Sequence, residues 1–150
     1  MNQEKLREFF QRKREKSKPS SIDWAAKRDD WIAAVRRLFQ TIRSNYLRSA
    51  AGEVELTERE KGVTEDFVGQ YRVPELVLRV GDEEVVFSPK GVNVVGAAGR
   101  VDVFGDRGDA TLVWQGGDDW SIVAARVPVL RLIPLTGESL ADLLAGIMRP

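Results

Sequence analysis

Hydrophobic residues change their rhythm twice along the chain, and each change marks a new kind of element. From Trp24 onward the apolar positions Trp24, Trp31, Val35, Leu38, Ile42 and Tyr46 recur at steps of seven, four, three, four and four. That is one face of a helix with 3.6 residues per turn. Ile32 and Phe39 widen the face, and Arg28, Asp29, Arg36, Arg37 and Arg43 hold the opposite side. The pattern predicts a long helix over about Ile22 to Ala50. Ser20 or Ser21 would cap it, Asp23 would sit in its first turn, and Gly52 would close it. Ahead of it, residues 3–16 favour helix but offer only Leu6, Phe9 and Phe10 as an apolar stripe. Pro19 and three serines form the linker between the two.

Beyond Gly52 the period falls to 2. Val54 and Leu56 alternate with Glu53 and Glu55, and Leu76, Leu78 and Val80 lead to a tight turn at Gly81-Asp82 before Val85 and Phe87 return. Ser88-Pro89-Lys90-Gly91 reads as the next turn, with proline at its second position. Further strands are predicted at Val92–Val95, Arg100–Phe104, Ala110–Gln115, Trp120–Arg126 and Pro128–Leu135. Two prolines mark the last of these as short or at an edge. A third rhythm closes the chain: Leu140, Leu143, Leu144 and Ile147 form a helical stripe after a Thr136 cap. Helices, then strands, then a helix predict an α+β fold. A long amphipathic N-terminal helix packs on a mostly antiparallel meander of about five to seven strands, followed by a short C-terminal helix. The domains expected are a basic helix and linker over residues 1–21 and a single α+β domain over residues 22–150.

Composition narrows the chemistry. The chain has neither cysteine nor histidine. Disulfides, thiol nucleophiles, imidazole bases and Cys/His zinc sites are therefore excluded, and a metal would need carboxylates and carbonyls. No cofactor is expected. No apolar run is long enough to span a membrane and the N-terminus has no secretory pattern, so a cytoplasmic location is expected. Net charge is zero, yet residues 1–50 carry 13 Lys/Arg against 6 Asp/Glu. A basic arm can meet nucleic acid or an acidic partner, or dock on its own acidic body.

The glycines crowd into VVGAAGRVDVFGDRGDATLVWQGGDDW, residues 94–120. Gly105-Asp-Arg-Gly108 and Gly116-Gly-Asp-Asp119 read as hairpin loops, and Gly96-Ala-Ala-Gly99 as a bend, bulge or loop. A phosphate loop would need Lys-Ser/Thr and a helix where Arg100 opens a strand. A G-x-x-G nucleic-acid loop would join two helices and carry basic residues in place of Ala97 and Ala98. Asp102 at a strand centre resembles the first metal carboxylate of restriction-type nucleases, but the following ATLVWQ supplies neither the second acid nor the lysine. The loop aspartates lack calcium-site spacing. Arg100 and Asp102 share a strand face and can pair locally or form half of a polar recognition site.

Together, DWIAAVRRL, VVGAAGRVDVFG, the strand with Trp120 and the ending built on Pro134, Leu135, Leu140, Leu143 and Leu144 resemble a small uncharacterised bacterial family with a central G-A-x-G-R-V-D motif. The resemblance covers about residues 23–148 and implies a cytoplasmic bacterial protein, with no reaction or ligand attached. The function expected is a non-enzymatic interaction or accessory module of the immunity or phage-defence type, binding another protein through the basic N-terminal helices or a sheet face. The alternatives are a nucleic-acid-binding accessory using Arg12, Lys13, Arg14, Lys16 and Lys18, and an inactive nuclease-like scaffold. Arg100 and Asp102 complete the candidate binding residues, with no catalytic or metal site.

Overall fold

The computed structural model describes residues 2–16, 22–92 and 98–150, with only the backbone of residues 15 and 16. Helix α1 is Gln3–Lys16 and α2 is Trp24–Thr41. Seven strands follow: β1 Glu55–Glu65, β2 Gly69–Val80, β3 Glu83–Gly91, β4 Gly99–Gly105, β5 Gly108–Trp114, β6 Trp120–Ala125 and β7 Arg131–Pro134. Helix α3, Gly137–Ile147, ends the order. The strands make one antiparallel sheet in sequence order, the simplest meander.

The predicted long helix is built in three pieces. Asp23, not a serine, is its N-cap: its carboxylate accepts the Ala26 N–H at 3.0 Å. Regular α-geometry stops at Thr41, where Thr41, Ser44 and Asn45 bring poor helix formers together. The chain then widens into a π turn over Ile42–Tyr46, closed by Leu47 N–H on the Ile42 carbonyl, and a 3₁₀ turn over Arg48–Ala50. Helix α3 starts at the expected Thr136, in a reciprocal capping box with Ser139.

One sheet face and two helices enclose the core. Trp31, Ala34, Val35, Leu38 and Phe39 from α2 and Ile42 from the π turn after it, with Leu140, Leu144 and Ile147 from α3, cover Leu76, Leu78, Val85, Phe87, Val101, Val103, Leu112 and Ile122. Each of the valine, leucine, isoleucine and phenylalanine side chains contributes about 1.5–3 kcal/mol on full burial. Trp24, at the exposed start of α2, stacks instead on Phe67 at the tip of the β1–β2 hairpin, 5.6 Å between rings.

Four strand readings are corrected. Ser88-Pro89-Lys90-Gly91 is no turn: β3 runs through it, Pro89 opposite Val101, and a bulge between Pro89 and Gly91 absorbs the irregularity that proline imposes. β1 extends to Glu65 and pairs with β2 over its whole length; the reading stopped short because the exposed run Thr57–Glu60 carries no apolar alternation. The last strand shortens to Arg131–Pro134 and does lie at the edge. Of Val92–Val95, Val92 is buried but not in a strand, and residues 93–95 lie outside the described residues.

Candidate functional site

The face of the sheet turned away from the helices carries a polar network at its centre. β2 pairs with β3 only from Leu76 to Val80, so the distal arm of the β1–β2 hairpin can reach β3 directly. Lys61 of β1 donates to the Ser88 hydroxyl at 2.7 Å and to the Pro89 carbonyl at 2.8 Å. Ser88 donates to Glu75 at 2.5 Å, and Arg59 donates to the other Glu75 oxygen at 2.9 Å. Farther out, Glu65 accepts the Val92 N–H and the Tyr71 hydroxyl. Its carboxylate fits there because Gly91 has no Cβ: one would lie 2.1 Å from a Glu65 oxygen.

Arg100 and Asp102 do pair locally, through a bidentate fork at 2.7 and 3.2 Å. Asp102 lies opposite Ser88 on β3 and is only 7% exposed. The structure thus gathers the three residue types a nuclease centre needs, Asp102, Glu75 and Lys61, on one face. Glu75 and Lys61 come from β2 and β1, which precede Asp102 by a long stretch of chain, rather than from the strand that follows it, which is why the sequence around Asp102 does not show them.

Their chemistry is already committed. Burial, then the charge of Lys90, pulls the Lys61 ammonium below its ordinary value, against the pull of Glu75 and Asp102. Both Lys61 bonds are nonetheless donations, which a lysine acting as base could not make on the serine it activates. Burial alone would raise the Glu75 carboxyl. The hydrogen bonds from Ser88 and Arg59, with the charges of Arg59 and Lys61, outweigh it and leave Glu75 below the usual carboxylate range. A carboxylate so stabilised is a weak base for Ser88, which is only 4% exposed. Among the described residues, no group of three or more Asp or Glu is placed to hold a metal ion.

Within the described part of the glycine-rich stretch, Gly99 and Gly105 serve packing. Ala98 N–H bonds the Trp114 carbonyl at 2.7 Å, and a Cβ on Gly99 would lie 2.2 Å from the Trp31 ring. Trp31, Trp114 and Trp120 form a cluster with ring centroids 5.8 to 6.3 Å apart. A Cβ on Gly105 would meet the Ile147 carbonyl at 2.5 Å. Gly116 and Gly117 hold positive φ in the β5–β6 turn. Gly96 and Ala97 lie outside the described residues.

The basic segment is placed apart from the core cluster. Arg12, Lys13 and Arg14 are exposed on α1, and Lys13 lies over the Phe9 ring. Of Lys16 only the backbone is described, and Lys18 lies outside the described residues. Leu6, Phe9 and Phe10 are not among the core residues, and Phe10 is 59% exposed.

A further surface was missed in the sequence reading. Around β7, Val127, Val129, Leu130, Leu132 and Ile133 are all exposed, Val127 at 84%. Ile133 and Leu132 pair with Ile122 and Val123, so they prolong both sheet faces past the last covered strand. The signal was present in VPVLRLI, which shows no alternation and no acidic residue. Pro128 and Pro134 drew the reading toward edge position rather than toward what an apolar edge could bind.

Fold and surface define an α+β protein with a seven-stranded antiparallel meander, a helix-covered core face and an apolar open edge. No protein-family model, curated protein or solved structure matches the chain. No helix among the described residues is long and apolar enough to cross a membrane.

Proposed function

We propose that this protein is a non-catalytic interaction module that binds another polypeptide at the β7 end of its sheet. The apolar surface of Val127, Val129, Leu130, Leu132 and Ile133 carries this reading. These exposed aliphatic side chains, on both faces of the sheet beside the open edge of its last strand, offer aliphatic contacts and backbone hydrogen bonds to an incoming strand. The committed donors and acceptors of the Lys61–Ser88–Glu75 network support a structural role for the opposite face. The test is a photoreactive residue at position 129 in the cells that express the protein, with a control at the exposed position 70. Adducts to a polypeptide at 129 and not at 70 are expected; no adduct at 129 would overturn the proposal.

A second reading rests on the exposed cations Arg12, Lys13 and Arg14 of α1: a nucleic-acid-binding accessory, the alternative already drawn from composition. It expects affinity for DNA or RNA at low salt that falls steeply as salt rises, and loss of that affinity when residues 1–21 are deleted.

A further inference from the structure

We infer that the polypeptide which occupies the β7 edge is a second copy of this chain, paired antiparallel about a two-fold axis at Leu132. The inference rests on the interaction reading above and adds the identity of the partner.

Backbone phase comes first. Leu135 N–H bonds the Trp120 carbonyl, and Ile133 stands opposite Ile122 two residues earlier. In an antiparallel ladder, residues directed at the neighbour alternate with residues directed away. Ile133 and Leu135 are therefore directed at β6, and Leu132 and Pro134 present their backbone groups to the open edge. Proline has no N–H to offer, so most registers waste a bond there. A two-fold axis at Leu132 does not. It exchanges two bonds between Leu132 and its symmetry mate, and sets the Leu130 N–H of each copy on the Pro134 carbonyl of the other. In this register Pro134 is asked only to accept.

Side chains agree with that register. Residues directly opposite in an antiparallel pair share a face. Leu132 then meets Leu132 of the second copy, Leu130 meets Pro134, and Ile133 meets the aliphatic stem of Arg131. The two-fold pairing covers the exposed aliphatic groups Leu130, Leu132 and Ile133 of both copies at once.

Charge selects the antiparallel arrangement. The run from Arg126 to Pro134 holds two cations, Arg126 and Arg131, and no acid. Glu138, the acidic residue in the first turn of α3, follows β7 by four residues. Parallel pairing would set Arg131 beside Arg131. Antiparallel pairing brings the arginine-bearing start of each β7 toward the glutamate-bearing end of the other, twice per dimer. Arg131 shares the helix-covered face of the sheet with Ile133, the face on which α3 lies, so the guanidinium and the carboxylate fall on the same side.

Sedimentation equilibrium of the full chain tests this. The wild type should rise with concentration from 16.8 kDa to twice that mass. Leu132→Pro should remove the rise, because it deletes an outward N–H that β6 does not use, with the circular dichroism unchanged. Glu138→Lys should weaken the dimer, and Arg131→Glu combined with Glu138→Lys should restore it. A wild type that stays at monomer mass, a Leu132→Pro variant that dimerises like wild type, or a charge swap without recovery would overturn the inference. If the chain is monomeric yet position 129 still cross-links to a different protein, the second-copy inference fails and the interaction reading stands. Absence of both defeats both.

Discussion

At Gly99 a single missing methyl group decides how a helix sits on a sheet. The Trp31 ring occupies the place where its Cβ would be. Gly99→Ala should therefore cost about 1–3 kcal/mol through overpacking, measured by denaturant unfolding. The cost should shrink in a Trp31→Leu background, where the ring is gone. Trp31→Ala itself should cost about 3–5 kcal/mol, since the side chain is fully buried. Tyr71 gives a pH-dependent counterpart. Burial, then the hydrogen bond to Glu65 and its charge, pushes the phenol above its ordinary value of 10.0. A raised value means that the folded state keeps a proton the unfolded chain releases. The contribution is whole below pH 10 and is lost as pH rises beyond it. Thermal melts should show stability falling above about pH 10, a fall that Tyr71→Phe should reduce. Glu75 has the opposite sign: its lowered value stabilises above the ordinary carboxylate range and is lost on acidification, so Glu75→Gln should flatten the acid limb.

Among the elements, those whose burial is one-sided were legible. The period of α2, the stripe of α3 with its Thr136 cap, and the hairpins at Gly81, Gly105 and Gly116 all follow from side-chain alternation or turn chemistry. The β1–β2 arm was not, because most of β1 is exposed and its strand state is fixed by pairing with β2. The course of β3 through Pro89 was hidden for a related reason. A Ser-Pro-Lys-Gly sequence suits a turn locally, and only its neighbours, Val101 across the ladder and Lys61 above, hold it extended. The local Arg100–Asp102 pair was readable from spacing two on a strand. Its junction with Lys61, Glu75 and Ser88 depends on contacts between distant strands, which no spacing rule reports. For α1, deletion of residues 1–21 should leave the melting temperature of the remainder nearly unchanged, since Leu6, Phe9 and Phe10 are absent from the core cluster. A large drop would show that the segment is part of the domain.

Over the whole molecule, part of the charge asymmetry between the halves is resolved internally. Arg36 of α2 and Arg43 of the π turn after it lie near Glu60 and Glu58 of β1, and Arg37 bonds Asp118 in the β5–β6 turn. These are exposed pairs, each worth about 0.2–1 kcal/mol, so they orient α2 more than they stabilise it. Arg149 near the C-terminus likewise joins the two turns that carry Asp82 and Asp106. Among the described residues the apolar β7 edge has no such internal answer, which is why the proposed second chain is set there. The most direct measurement is amide hydrogen exchange at Leu132 and Ile133 in the full chain, dilute and concentrated. Ile133, bonded toward β6, should be protected throughout, while Leu132 should exchange fast when dilute and slow markedly as the edge becomes occupied. Fast exchange at Leu132 at every concentration, and in extract of the expressing cells as well, would contradict the claim that this edge binds another chain.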